Sequence, residues 1–261
     1  MQNRKTINII SFLTGYAEKA AYPVVFLGNV FSAPPQLFRR KREFLYYLDI
    51  CGVKSLPVVI VISLLMGSIV ALQGALQMRR VGAEIFIADL VGLAVLKEFG
   101  PLMVAMISTG RAGSAFAAEI GTMKVNEEIY ALQTMGVNPY SYLVHPKLAA
   151  MLIVIPVLTV FGDAFSILGG MCLSTSSLDI TAVAYWSRTT AVLDGITFML
   201  GIFKSAVFGV LITLAGCCCG FASSGDAQGV GRSATQAVVW SIFLVVIADA
   251  VMTLLYSFIG Y

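Results

Sequence analysis

Residues 110–139 read GRAGSAFAAEIGTMKVNEEIYALQTMGVNP. The stretch starts inside an apolar run, with one arginine among glycines and alanines, and ends on an Asn-Pro turn. Between these limits Thr122 and Asn126 are candidate caps, Glu127 and Glu128 suit a first turn, and Gly136 supplies a stop. Ile129, Ala131, Leu132 and Met135 form an apolar stripe. The pattern predicts a short amphipathic helix over about 122–137, inserted between two membrane spans. Such a helix docks into a groove on a soluble partner or lies on the bilayer. Adjacent acids disfavour the second when the lipid is anionic.

The surrounding chain explains why a polar helix stands out. Of 261 residues 58% are hydrophobic and 12% charged, and the mean hydropathy is +0.88. Soluble domains carry about twice that charge, so the composition is that of a membrane protein. A span needs about 20 apolar residues. Five stretches qualify, near 56–76, 89–118, 148–173, 196–221 and 234–256. The expected fold is therefore all-α and polytopic. Residues 1–54 form a cytoplasmic amphipathic region, and 55–261 a five-span domain.

Five spans put the termini on opposite sides. One side collects Arg4, Lys5, Lys19, Arg39, Arg40, Lys41, Arg42, Lys54, Lys124, Lys147 and Arg232, and the other only Arg79, Arg80 and Arg188. The N-terminus is therefore expected in the cytoplasm and the C-terminus outside. Glu18 and Lys19 interrupt the first apolar run, which argues against a cleaved signal peptide. Residues 6–33, followed by Pro34-Pro35, read instead as an interfacial helix.

Ionisable residues within spans are costly and normally face a partner or a wet cavity. Lys97, Glu98, Asp163, Lys204 and Asp249 fall at one depth in the outer half, when positions are counted at about 1.5 Å per residue. They suggest a buried polar network, which either locks the bundle or relays a conformational change or protons. A pair of intramembrane aspartates also suggests an aspartyl protease. The glycine that such enzymes place three residues before the aspartate is Val160 here. Towards its inner end the second span carries two small-residue stripes, Gly110, Ser114, Ala118 and Gly113, Ala117, Gly121, which predict a central helix.

Other chemistry is poorly supported. Charges are too few and scattered for nucleic acid. Cys217, Cys218 and Cys219 fan around a helix, which suits packing rather than a metal site. His145 reads as a loop residue. The loop GFASSGDAQGVGRSAT (220–235) lacks the lysine of a phosphate-binding loop, so ATP, if used, binds a partner.

The segments ALQG (71–74), LKEFGP (96–101), GRAGSAFAAEIGTM (110–123), EE…ALQTMGVNP, FKS (203–205) and GVGRSAT (229–235) resemble the MlaE/YrbE permeases, in order over about residues 50–257. Lys97 stands where arginine is common, and residues 1–50 match poorly. The resemblance implies the membrane subunit of an ABC system that moves phospholipids with MCE-domain proteins and has no nucleotide site of its own. It also implies a homodimer in the bacterial inner membrane, a cytosolic MlaF-like ATPase carrying the ATP, and an outer-side MlaD-like MCE ring. The coupling helix then falls on 122–137, with Glu127, Glu128, Ala131, Leu132, Met135 and Gly136. The lipid path falls on the first and fifth spans, with Val70, Leu72, Gln73, Leu76 and Met78. No catalytic or metal-binding residue is implied. A non-transporting scaffold for MCE proteins and a stand-alone secondary carrier are the competing readings.

Overall fold

A computed structural model of the chain describes residues 22–34, 40–177 and 180–259. The proposed interfacial helix is visible there only as α1 (Tyr22–Ser32), since residues 1–21, Pro35 and Arg39 lie outside the described residues. There follow α2 (Lys41–Met78), α3 (Ile87–Val125), the short α4 (Glu128–Thr134), α5 (Pro139–Ser177), α6 (Ala182–Val192), α7 (Gly195–Phe221) and α8 (Ala227–Ile259). No strand occurs among the described residues. Helices α2, α3, α5, α7 and α8 are long and apolar enough to cross a membrane. The chain is an all-α, multi-pass membrane protein.

Two helices are not regular. The path of α2 widens to a π-type turn at Leu48–Val53, and α3 widens at Val95–Phe99 and at Thr109–Gly113. Because α2 already begins at Lys41, Lys41 and Arg42 stand at the head of the first span. Two local expectations are corrected. Thr122 lies within α3, where its hydroxyl donates to the Ala118 carbonyl at 2.8 Å. His145 lies within α5, not in a loop, and its Nε2 is 3.0 Å from the Val30 carbonyl of α1.

The bundle is held by close backbone approaches. Helix α2 packs chiefly on α5. A Cβ on Gly67 would collide with the Ser166 carbonyl, and one on Gly169 with the Leu64 carbonyl. Two hydroxyls reinforce the crossing, Ser166 donating to the Ser63 carbonyl at 3.0 Å and Ser68 to the Gly169 carbonyl at 2.9 Å. Helix α7 does the same with a ladder of glycines. Cβ atoms at Gly201, Gly209 and Gly216 would come within 2.5, 2.7 and 2.8 Å of the carbonyls of Leu96, Met151 and Gly113. Small residues here replace the hydrophobic drive that lipid removes, because close contact restores dispersion energy. Of the two α3 stripes, Gly113, Ala117 and Gly121 face α7 and α8, whereas nothing approaches Gly110.

At the α4 end, Phe26 of α1 sits against Tyr140 and Phe221, with ring centroids 5.8 and 5.9 Å away. The Ser141 hydroxyl donates to the Pro34 carbonyl at 2.6 Å. These contacts seat α1 across the feet of α5 and α7. At the opposite end α6 closes the bundle, with Tyr185 fully buried and Arg188 held 3.7 Å from Asp89.

Candidate functional site

The polar cluster forms around Lys204 of α7, which is completely buried. Its ammonium donates to Glu98 Oε2 at 2.7 Å, to Thr253 Oγ1 at 2.9 Å and to the Lys97 carbonyl at 3.2 Å. Asp249 Oδ1 of α8 is 2.7 Å from the same nitrogen, and Thr253 donates on to Glu98 Oε1 at 2.8 Å. Three spans therefore meet at one cation. Pro101 lies next to this carbonyl's turn. Having no N–H, it cannot donate to any carbonyl of the widened turn just before it, and the Lys97 carbonyl in that turn accepts from Lys204.

Two expected members are absent from this cluster. The Lys97 side chain is exposed and contributes only its backbone. Consecutive helical residues point about 100° apart, so Lys97 and Glu98 cannot both face inward. Asp163 is buried, but it lies against Gly100 and lines a separate cavity. Helix α5 presents it to α3, away from α8. Thr253 was not anticipated, because a lone threonine in an apolar span gives no charge signal.

A second cluster also escaped the sequence reading. Lys147, one of the cations assigned to the cytoplasmic side by charge distribution, is wholly buried in α5. Its ammonium donates to Tyr47 Oη at 2.8 Å and to Glu119 Oε1 at 3.0 Å, while Tyr47 donates to the same Glu119 oxygen at 2.7 Å. The nitrogen also lies 4.5 Å from the Tyr47 ring centroid. Spans α2, α3 and α5 are thus joined in the half nearer α4. Close by, Arg111 Nη1 donates to the Lys54 carbonyl at 2.5 Å.

The segment of α4 is shorter than expected and built differently. Helix α3 runs on to Val125, and Glu127 reverses the chain with φ of 59°, a left-handed conformation unusual for a side-chain-bearing residue. Asn126 does not cap. Its amide donates to Glu128 Oε1 at 3.2 Å instead. Gly136, at φ 72°, ends the turn as expected of a glycine stop. Ile129 and Leu132 point into the chain's own core, while Glu127, Glu128, Tyr130, Ala131 and Met135 are exposed. The outward face is therefore acidic and aromatic. Leu132 belongs to the seat of the helix.

On α2, Leu72, Gln73 and Leu76 are exposed, but Val70 and Met78 pack against Ala71, Ala75, Ile87, Val91 and Val95. The exposed set continues the outward stripe of Val61, Leu65 and Ile69. Helix α8 is barer still. Only 17% of its apolar stretch is buried, against 28% for α2 and 44–50% for the other three spans. Trp240, Phe243, Val246, Ile247, Val251 and Leu254 all face outward.

Comparisons with known proteins agree with this architecture. Residues 44–255 match the family model described as Permease MlaE. A probable ABC transporter permease protein of Rickettsia typhi is 35% identical over 244 residues, 94% of this chain and 93% of its own length. The intermembrane phospholipid transport system permease protein MlaE of Haemophilus influenzae is 29% identical over 220 residues, 84% of each chain. The chloroplastic protein TRIGALACTOSYLDIACYLGLYCEROL 1 of Arabidopsis thaliana is 32% identical over 212 residues, 81% of this chain and 61% of its own.

Proposed function

The chain belongs to the MlaE permease family of ABC transporters, and on that premise we propose that it moves phospholipid between the inner membrane and a periplasmic MCE carrier, for outer-membrane lipid homeostasis. It works as a homodimer. Partner ATPases bind and hydrolyse the ATP, and an MlaD-like ring receives or delivers lipid on the outer side. The N-terminus is cytoplasmic and the C-terminus periplasmic, which the lysine and arginine distribution supports.

The single observation that carries this reading is the pair of bare apolar faces on α2 and α8. A bundle that buries three spans well and leaves two open is shaped to complete itself against a second copy and a lipid. In this arrangement Leu72, Gln73 and Leu76 line the lipid path, while Val70 and Met78 support the helix behind them. The exposed face of α4, with Glu127, Glu128, Tyr130 and Met135, seats the ATPase. Lys204 and its carboxylates hold α3, α7 and α8 in fixed relation, so that a push at α4 reaches the outer half.

The test uses the complex purified with its ATPase and MCE partners in nanodiscs. Phospholipid should stimulate ATP hydrolysis, and photo-crosslinkers at Leu72 or Leu76 should capture lipid more than one at the exposed Ile153 of α5. Hydrolysis indifferent to lipid, with equal labelling at all three positions, would favour the scaffold reading.

A further inference from the structure

We propose that the cavity beneath α6 is a binding site for a single-chain amphiphile with an ammonium head, separate from the faces of α2 and α8. The cavity has a volume of about 470 Å³ and lies between α5, α6 and the start of α7, with Leu96 of α3 among its lining residues. Sites for small ligands run from about 300 to 1,000 Å³. Its walls are apolar, with Ile167, Leu168, Trp186, Leu193 and Phe198 among them, which suits an alkyl chain.

The head group follows from charge. Among the described residues the ionisable ones lining the cavity are Asp163 and Asp194, with no lysine, arginine or histidine beside them. Asp163 is 4% exposed, and its Oδ1 is buried without a hydrogen-bond partner. Oδ1 occupies space that a Cβ on residue 100 would take, so Gly100 makes room for this carboxyl. The cation of α6, Arg188, is already engaged by Asp89 at 3.7 Å and lies over the Phe86 ring at 4.9 Å. A buried carboxyl in an apolar wall calls for a donor or a cation. A phosphate monoester head with no ammonium of its own would instead meet two acids, so the site selects against it.

Trp186 reports on this directly, because the chain has two tryptophans. In the full-length Trp240→Phe protein, reconstituted in phosphatidylcholine nanodiscs, bromododecylamine should quench Trp186 saturably and bromododecyl phosphate should not. Asp163→Asn should weaken the amine by about tenfold, the effect of losing a charge-assisted hydrogen bond. Ala164→Phe, which fills the cavity from its α5 wall without touching the carboxyl, should abolish saturable quenching. Equal quenching by the two heads overturns the proposal, as does amine quenching that either variant leaves unchanged.

Discussion

Lys204 shows how far one residue can be read from sequence. Its depth was legible, since counting residues along spans gives height. Its partners were only half legible, since height says nothing about direction around a helix. Glu98 and Asp249 meet it, Lys97 turns outward, and Asp163 is held by a different helix face. Pro101 did carry a readable signal, because a residue without an N–H removes one backbone donor from the turn before it. Replacing Lys204 by methionine leaves two carboxylates facing each other without their cation. We expect a loss of about 3–5 kcal/mol, seen as poor yield or a lowered melting temperature in detergent. Asp249→Asn should cost much less, because Glu98 still neutralises the ammonium. At the start of α8, Asp226 accepts hydrogen bonds from Ser224 and from the Gly229 amide. The Ser224 bond, above all, holds its carboxyl below the usual range. A lowered pKa means the capping contribution is complete above the ordinary aspartate pKa and is lost as the pH falls through the folded-state value. The protection of the Gly229 amide, its exchange measured against the intrinsic rate at the same pH, should therefore fall only in acid.

At the scale of the element, α4 was found by its turn signals but mis-faced by its periodicity. Seven residues are too few for an apolar stripe to declare whether it faces the bundle or a partner. The structure turns Ile129 and Leu132 inward, so substitutions on the two faces of α4 have different outcomes. Leu132→Asp puts a charge among core residues and should destabilise the permease itself by a few kcal/mol, lowering yield before any partner is added. Tyr130→Asp and Met135→Asp change side chains that are 61% and 68% exposed. Both should release the ATPase from purified complex while the permease still inserts and melts normally, as read by co-purification and thermal unfolding. Retention of the ATPase by both would remove α4 from the coupling path. The crossing of α2 and α5 makes a second demand. Gly169→Val would push a side chain against the Leu64 carbonyl. Overpacking of this kind costs about 1–3 kcal/mol or more where backbone cannot yield, and should appear as reduced thermal stability.

Over the whole molecule, span number and order were legible because twenty-residue apolar runs have no alternative in this composition. What covers the bundle was not, because hydropathy cannot separate a lipid-facing leucine from one facing another copy. The bare face of α8 supplies a test. Phe243→Asp and Ile153→Asp each place a carboxylate on an outward-facing surface, at α8 and α5 respectively, with an insertion cost of about 3 kcal/mol. Only the α8 change should also convert dimer to monomer, measured by native mass spectrometry of equal amounts of inserted protein. Loss of the dimer in both variants, or in neither, would place the interface elsewhere.

The widened turns of α3 have a consequence for how this span tolerates change. Each holds one residue more than a regular turn, so the segments on either side are out of phase with a continuous helix. Deleting one residue from Val95–Phe99 would remove that extra residue and let the turn close as regular helix, so Asp89 would stay beside Arg188 and Val91 in its cluster. The same deletion in the regular stretch Ser114–Val125 would swing everything on one side of it by about 100°. In this helix the widened turns are where a letter can be lost without a rotation, and relatives are best aligned here by which face a residue occupies.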